Sequence, residues 1–156
     1  MHLESDEQYM DLALAEAQKA ESAGEVPVGA VAVADGAVVG RGFNQPISAN
    51  DPTAHAEILA LRDAAKNIGN YRLAAVTMYC TVEPCMMCAG AMIHARIHRV
   101  VFACRDFSAG AGGSVCNLLS GYPRNHRVLI DEGMMQQECS LLLQEFFKAR
   151  RGRSGG

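Results

Sequence analysis

The amino-terminal part of the sequence has almost no positive charge. Residues 1–25 contain a single base, Lys19, and seven acids. A secretory signal peptide begins with a basic segment, so this composition argues against export. The sequence also lacks any apolar run that approaches the roughly 18 residues of a membrane-spanning helix. We therefore expect a cytoplasmic protein without a membrane partner.

Internal repeats and a linker between domains are missing as well. With 156 residues, of which 49% are hydrophobic and 20% charged, the chain has the ordinary size and composition of one globular domain. We expect a single domain over residues 1–151. The short end of the chain, residues 152–156, is predicted to be a disordered tail.

An overall excess of positive charge is also absent, since the formal net charge is −3. This argues against a protein that coats nucleic acid without specificity. The acids are concentrated in residues 1–25, however, and the rest of the chain is mildly basic. A local basic face would suit a small, specific RNA contact, and a solvated rim fits the same charges equally well. The late basic residues are Arg96, Arg99, Arg105, Arg124, Arg127, Lys148, Arg150, Arg151 and Arg153.

Hydrophobic periodicity predicts a hairpin followed by alternating helices and strands. Asp35-Gly36 is a hairpin turn signal, and Ser5 or Asp6 can cap the first helix. This order predicts an α/β fold of three layers, α/β/α, with a mixed five-stranded sheet and helices on both faces. The expected strands are 26–33, 37–44, 74–81, 99–103 and 127–130, and the expected helices are 6–23, 54–66, 84–94 and 134–151.

Six cysteines are present, and their pattern favours metal binding or catalysis over disulfides. The chain has no export signal, and Cys85 and Cys88 form a Cys-x-x-Cys motif, which in a reducing compartment is typical of metal or redox chemistry. The remaining cysteines are expected to be small buried hydrophobic residues; they are Cys80, Cys104, Cys116 and Cys139.

Cys85, Cys88 and His55 have the residue types and spacing of a catalytic zinc site. Two cysteines three residues apart lie on one face of a helix, and Pro84 suits the first position of that helix. A helix start also favours the thiolate form. His55 is expected at the start of another helix. Three protein ligands leave the fourth position of zinc for water.

Glu57 is expected near the metal without binding it. In the middle of a helix, side chains two residues apart diverge by about 200°, but in the first turn both can border one cavity. A carboxylate there can take up and release a proton. Two alternatives remain: a closed structural zinc site with His94, Cys80 or Cys104 as fourth ligand, and a redox Cys-x-x-Cys, which leaves the His-x-Glu pair unexplained.

The segments His55-Ala56-Glu57 and Pro84-Cys85-x-x-Cys88 match the signature of the zinc-dependent nucleobase deaminases. Five further segments resemble the bacterial tRNA-specific adenosine deaminases, and the resemblance covers roughly residues 8–151. It implies the cytidine deaminase-like fold and a homodimer, with one Zn²⁺ per subunit. The segments are VPVGAV (26–31), DPTAHAE (51–57), NYRL (70–73), CAGAMIH (88–94) and NHRV (125–128).

This resemblance implies hydrolytic deamination of adenosine to inosine at the wobble position of a tRNA anticodon. Zinc lowers the pKa of a bound water toward about 7, and the implied zinc-activated hydroxide attacks carbon 6 of adenine. Glu57 protonates the adjacent ring nitrogen and then passes a proton to the departing ammonia. The adenosine must be flipped into the site, which costs little in an anticodon stem-loop whose bases are already unpaired.

Four residues are expected to contact the adenosine: Asn44, Val28 and Ala56 at the base and Asp106 at the ribose. Asn44 is expected to contact the base, because an amide can donate and accept on one purine edge, with a loop-stabilising role as the alternative. Val28 and Ala56 are expected to form apolar and backbone walls. Asp106 either accepts a hydrogen bond from a ribose 2′-hydroxyl or caps a turn.

Two further groups are expected to face the RNA. Arg124, Asn125 and His126 match an RNA-facing loop of the family, although His126 by itself is more typical of a structural histidine. On the last helix, Phe147 is expected to stack on a splayed base, with two arginines on phosphates. A helix end that is basic only for reasons of the helix dipole is the alternative. These arginines are Arg150 and Arg151.

Two other functions compete with tRNA deamination. A deaminase of free cytosine or guanine would keep the zinc and Glu57 but would not need the RNA-facing residues. A zinc-stabilised RNA-binding module would not need Glu57.

Three positions also depart from the family pattern, since Phe43 stands where Trp is expected and Ser108-Ala109 replaces a Lys-Thr pair.

Overall fold

The computed structural model describes residues 3–121 and 126–154. One sheet of five strands runs through them. The strands are β1 (Gly29–Ala34), β2 (Ala37–Phe43), β3 (Thr77–Val82), β4 (Arg99–Cys104) and β5 (Leu129–Glu132), and the helices are α1 (Asp6–Ser22), α2 (Ala56–Ile68), α3 (Met86–Ala95), α4 (Leu118–Gly121) and α5 (Gln136–Ser154).

The strand order is β2-β1-β3-β4-β5, and the sheet is mixed. Strand β1 pairs antiparallel with β2 and β3, whereas β3, β4 and β5 run parallel. The hairpin turn lies at Asp35 and Gly36, both with positive φ (51° and 74°), as a tight two-residue turn requires. Parallel strands need crossover connections, and α3 makes the one between β3 and β4. The predicted fold class is confirmed.

Hydrophobic side chains on the two faces of the sheet form two separate cores. Met78, Val100 and Phe102 belong to the core that includes α2 and α3. Val31 and Val101 point to the opposite face, where α1 and Cys139 of α5 cover them. Every residue of β4 is buried, as expected for a strand that is covered on both faces.

Helix α2 lies so close to β2 that two positions of the strand have no space for a side chain. A Cβ atom on Gly40 would lie 2.4 Å from the Ala60 carbonyl oxygen, and one on Gly42 would lie 2.3 Å from the Ala56 carbonyl oxygen. Because both obstacles are backbone atoms, only glycine permits this approach. The position of the amino-terminal end of α2 therefore follows from its contact with β2.

Several boundaries differ from the predicted ones. Pro84 precedes α3 instead of starting it, because Cys85 is the N-cap and has an extended backbone (ψ 179°). The short helix α4 was not predicted. Helix α5 continues to Ser154, into the tail expected at 152–156, of which residues 155–156 lie outside the described part. None of the described helices is both long and apolar enough to cross a membrane.

A buried ion pair joins α1 to the sheet. The Arg99 guanidinium donates to both carboxylate oxygens of Asp6, at 2.9 and 2.7 Å, and its Nε donates to Asp131 at 2.7 Å. Tyr79 and the Leu3 amide also donate to Asp6, each at 2.7 Å. Asp6 therefore holds the helix end to β4 instead of acting as its cap.

Two of the late basic residues pair with acidic residues of the same chain. Arg99, predicted for a local basic face, is buried in this ion pair. Arg105 makes a bidentate pair with Glu132, with both N···O distances at 2.9 Å. Two of the predicted basic residues are therefore occupied by acids of the chain itself.

The ion pair predicts a specific loss of stability in acid. Burial raises the pKa of Asp6, but the hydrogen bonds from Arg99, Leu3 and Tyr79 outweigh it and lower the pKa from 3.8 to about 2. Ionised Asp6 thus adds stability that is complete above about pH 4 and is lost as the pH falls through about 2.

We expect Asp6→Asn to lower the free energy of unfolding at pH 7 by about 3–5 kcal/mol, because Arg99 keeps a buried charge without its main partner. Urea denaturation at pH 7, 4 and 3 measures this, and the difference from wild type should shrink as the pH falls. Asp11→Asn, on the exposed side of α1, is the control. Equal losses in the two variants would contradict the prediction.

Candidate active site

The amino-terminal end of α2 carries His55 and Glu57. His55 is the N-cap, with an extended backbone (φ −77°, ψ 150°), and makes no side-chain cap of its own. Its imidazole is therefore outside the helical repeat, so the divergence expected for side chains two residues apart does not apply to His55 and Glu57. The first helical amide, that of Ala56, donates instead to Oδ1 of Asn44 at 2.9 Å.

The amino-terminal end of α3 carries the two cysteines. Cys85 is the N-cap, and Cys88 lies buried in the first turn. Their sulfur atoms are 3.7 Å apart, and each lies 3.6 Å from Nδ1 of His55. Two helix starts that belong to different parts of the chain thus bring three metal-binding atoms together.

This triangle has the dimensions of a zinc site. Tetrahedral zinc, with Zn–S of about 2.3 Å and Zn–N of about 2.0–2.1 Å, places two sulfurs about 3.8 Å apart and a sulfur and a nitrogen about 3.6 Å apart. Across the described part of the chain, His55, Cys85 and Cys88 are the group of donors that could hold a metal ion. Three donors leave the fourth position open.

The candidates for a fourth protein ligand have other environments. The Cys104 thiol donates to the Thr81 carbonyl oxygen at 3.3 Å, and His94 is exposed in the last turn of α3. Cys80 is fully buried in β3 but does not belong to the donor group. The geometry supports an open catalytic site instead of a closed structural one.

The two cysteines have opposite shifts in pKa. The neighbouring Cys88 thiol, followed by His55, lowers the pKa of Cys85 to about 4. The Cys85 sulfur and burial raise the pKa of Cys88. The cluster therefore holds a thiolate near neutral pH, and a divalent cation favours deprotonation of the second thiol.

Glu57 lies beside this triangle and is almost fully buried. Its side chain is near Cys88, Cys85 and Cys80, and burial raises its pKa. Within the described residues its Oε1 has no hydrogen-bond partner, which is unusual for a buried carboxylate. A carboxyl group with a raised pKa and an unused oxygen is suited to accept and release a proton.

Asn44 has a structural role that leaves part of its side chain for a ligand. Its Oδ1 accepts a hydrogen bond from the Ala56 backbone amide, and the backbone amide of Asn44 donates to the Val28 carbonyl oxygen at 3.1 Å. Nδ2 has no partner among the described residues, so it can still donate to a base. Ala56 is completely buried and Val28 half-buried, and the Ala56 amide is already occupied by Asn44.

Asp106 caps a turn, which is one of the two roles expected for it. Its Oδ1 accepts from the Ser108 amide (3.0 Å), the Ser108 hydroxyl (2.8 Å) and the Ala109 amide (3.2 Å). Its Oδ2 has no partner in the described part of the molecule. The two roles are compatible, because each uses a different oxygen.

The remaining predicted RNA contacts lie in two regions. Arg124 and Asn125 lie outside the described residues. His126 is half-buried, and its Nε2 donates to the Ile97 carbonyl oxygen at 2.8 Å, as a structural histidine does. Phe147 on α5 is 41% exposed. Arg150 and Arg151 of the same helix are exposed as well, and the Arg150 guanidinium lies 5.3 Å from the centre of the Phe146 ring.

Glu83 is a site residue that the sequence motifs do not identify. It is buried directly before the Pro84-Cys85 segment, and its carboxylate accepts the amides of Asp106 (3.0 Å), Gly112 (2.8 Å) and Ser114 (3.0 Å) as well as the Ser114 hydroxyl. A Cβ atom on Gly110 would lie 2.3 Å from its carboxyl carbon. The sequence does contain a signal for this role. Glu83 stands directly before the Pro84-Cys85 segment, and Gly110 and Gly112 are spaced along a later loop.

Comparison with known proteins places this site in a class. Residues 3–104 match the family described as the cytidine and deoxycytidylate deaminase zinc-binding region. This stretch includes His55, Glu57 and both cysteines. The fold and the three-donor site with an adjacent carboxylate are those of a zinc-dependent deaminase.

Individual relatives show which family of zinc-dependent deaminases the chain resembles. The chain is 51% identical to the tRNA-specific adenosine deaminase of Haemophilus influenzae, over 95% of this chain and 86% of that protein. It is 42% identical to that of Bacillus subtilis, over 94% and 91%. The chain therefore belongs to the family of tRNA-specific adenosine deaminases.

Solved structures agree with this assignment. A structure from work on A-to-I editing by tRNA:A34 deaminases at the wobble position of transfer RNA has a TM-score of 0.84 and 40% identity, covering 87% of this chain and 99% of that chain. A guanine deaminase from Bacillus subtilis has a lower TM-score, 0.63, with 33% identity and coverage of 94% and 93%.

The contacts of Glu83 predict that its loss loosens the loop beside the cysteines. We expect Glu83→Gln to speed hydrogen exchange of the Gly112 and Ser114 amides by about 10-fold or more, because a carboxamide cannot accept all four donors. Nuclear magnetic resonance of the zinc-loaded protein measures these rates. Glu138→Gln, exposed in the first turn of α5, is the control and should change neither rate.

Proposed function

We propose that this protein hydrolyses adenosine to inosine at the wobble position of a tRNA anticodon. The observation that carries the proposal is the buried Glu57, with an unpartnered oxygen, beside three donors spaced for zinc. The family assignment supports the choice of substrate. A tRNA substrate implies that the enzyme acts in the cytoplasm.

His55, Cys85 and Cys88 hold the zinc, which when bound supplies the Lewis acidity that makes water nucleophilic at neutral pH. Glu57 performs the proton transfers. Its carboxylate takes a proton from the nucleophile and delivers it to the ring nitrogen next to carbon 6 of adenine. It then takes the remaining proton of the former water from the hydroxyl on carbon 6 and passes it to the amino group. The carbon–nitrogen bond breaks, ammonia leaves and the carbonyl of inosine forms. Burial assists both transfers, because it raises the pKa of Glu57 and so makes the carboxylate a stronger base toward the proton that it takes up.

Asn44 orients the base. Its Oδ1 is held by the first amide of α2, so the carboxamide is fixed relative to His55 and Glu57. Nδ2 can then donate to an acceptor nitrogen on the purine edge. Val28 borders the same region as an apolar wall, and Ala56 forms part of the backbone beneath it.

The anticodon loop is expected to contact the surfaces that flank this pocket. Oδ2 of Asp106 can accept from a ribose 2′-hydroxyl, which would favour RNA over DNA. Phe147 offers an exposed ring for stacking, and Arg150 and Arg151 bring positive charge toward phosphates. Arg124, Asn125 and His126 are proposed to complete the RNA-facing surface.

The test is an assay of the zinc-loaded protein with an anticodon stem-loop that carries a wobble adenosine, and separately with free adenosine, cytosine and guanine. We expect inosine in the stem-loop and no ammonia from the free compounds. Turnover of a free base alone would replace this proposal with nucleobase deamination. Tight RNA binding without any turnover would indicate an RNA-binding module.

Glu57→Gln is the matched variant for this assay. It keeps the size of the side chain and all three metal donors, so its zinc content should stay at one ion per chain. Its rate of inosine formation should fall by at least about 100-fold, because the carboxamide cannot carry the proton.

We also propose that the enzyme is a homodimer that associates through α2 and α3. The segment Ala89-Gly90-Ala91-Met92 of α3 has small side chains that would permit close packing, but it is only partly available, since Ala89 and Met92 are fully buried. Beside the remaining Ala91 lies an apolar groove of about 450 Å³. Its apolar lining residues are Ile58, Leu61, Ala65, Leu73, Ala91 and Ala95.

Sedimentation at micromolar concentration should give twice the 16.7 kDa mass of one chain. Ala91→Arg should shift the protein to the monomer, because it places a charge in the apolar groove. Gln137→Arg on α5, an exposed position, should leave the dimer intact. A single-chain mass for the wild type would contradict the proposal.

A further inference from the structure

Phe107 is an aromatic residue whose ring is left in solvent. It is 79% exposed, more than any other large hydrophobic residue in the described part of the chain. Of the five phenylalanines in the chain, Phe147 is also exposed, but only to 41%. An exposed ring contributes little to folding, and its position relative to the site therefore becomes informative.

The loop that carries Phe107 runs directly beside the metal-binding cysteines. Gly110 forms an isolated antiparallel bridge with Cys85. The Ala111 amide donates to the Pro84 carbonyl oxygen at 2.8 Å. Phe107 is thus three residues from a backbone contact with a metal ligand, at the border of the active site.

The backbone on both sides of Phe107 is held in place. Before it, the Asp106 amide donates to the buried Glu83 carboxylate, and after it, Ser108 is capped by Asp106. The Gly110 amide closes the turn on the Asp106 carbonyl oxygen at 2.8 Å. The ring is therefore presented from a fixed backbone, which reduces the conformational entropy lost when it binds a ligand.

Two other exposed apolar side chains also lie next to site residues. Met86, 65% exposed, follows Cys85 directly. Ile47, 60% exposed, belongs to the loop after Asn44, where its amide donates to the buried Glu25 at 3.2 Å. The first residue of α3 and the loop between Asn44 and α2 thus carry apolar groups in solvent, which suits the flat apolar faces of unpaired bases.

We propose that Phe107 stacks on an unpaired base of the anticodon loop that adjoins the flipped adenosine. This inference rests on the proposed function, since it requires an RNA substrate at the zinc site. Stacking on an aromatic ring is tolerant of base identity. Phe107 would thereby strengthen RNA binding without contributing to the choice of the neighbouring base.

The test uses the Glu57→Gln protein, whose expected loss of turnover allows binding to be measured before conversion. The ligand is a wobble-adenosine stem-loop with 2-aminopurine at each flanking position in turn. Phe107 should quench the fluorescence at one of these positions. Phe107→Ala should abolish that quenching and weaken binding by about 5- to 100-fold. Phe107→Tyr should retain both effects, whereas Phe107→Leu should lose the quenching.

Leu129→Ala is the matched control, because Leu129 is also exposed (55%) but lies on β5. It should bind RNA like the parent, and all variants should keep the same thermal midpoint. Unchanged binding and quenching in Phe107→Ala would overturn stacking while wild-type inosine formation upholds the proposed function. If the wild type neither binds nor deaminates the stem-loop, the proposed function fails and the stacking proposal fails with it.

Discussion

The close approach of helices to glycine positions of the sheet is the constraint on which the site depends. Backbone atoms of α2 occupy the space where side chains of Gly40 and Gly42 would stand, and α1 does the same at Gly29, where a Cβ atom would lie 2.1 Å from the Ala13 carbonyl oxygen. Since close-packed backbones cannot slide past each other without clashes, α2 has one permitted depth. That depth sets where His55 meets the two cysteines, and a shift of 1 Å would spoil the zinc geometry.

Two buried glutamates fasten the loops that border the pocket. Glu25 accepts the amides of Ile47 and Ser48, and Glu83 accepts amides on the loop after β4. A carboxylate with several amide donors forms strong, charge-assisted hydrogen bonds. The loops can therefore be irregular in structure and still hold their side chains in place, which a site that must receive a flipped base requires.

The fold was predictable to a large extent because its signals are local. The hairpin follows from Asp35-Gly36 between two apolar runs, and the buried strand β4 follows from its uninterrupted hydrophobic residues. The errors come from competing tertiary contacts. Pro84 is compatible with a helix start, but the helix begins two residues later because Cys85 extends toward His55. Arg99 belongs to a basic stretch of the sequence, but Asp6 on a different element removes it from the surface.

The sequence by itself determined the chemistry of the centre, because the spacing of Cys85 and Cys88 on one helix, together with a His-x-Glu pair, specifies donors and an acid without reference to distant parts of the chain. Only the tertiary structure decided which polar atoms are already occupied. The side-chain oxygen of Asn44 accepts the Ala56 amide, and one carboxylate oxygen of Asp106 accepts amides of its own turn. Both carboxylate oxygens of Glu83 accept hydrogen bonds from the loop after β4. These pairings join segments that come together only when the helices pack on the sheet, so no local pattern encodes them.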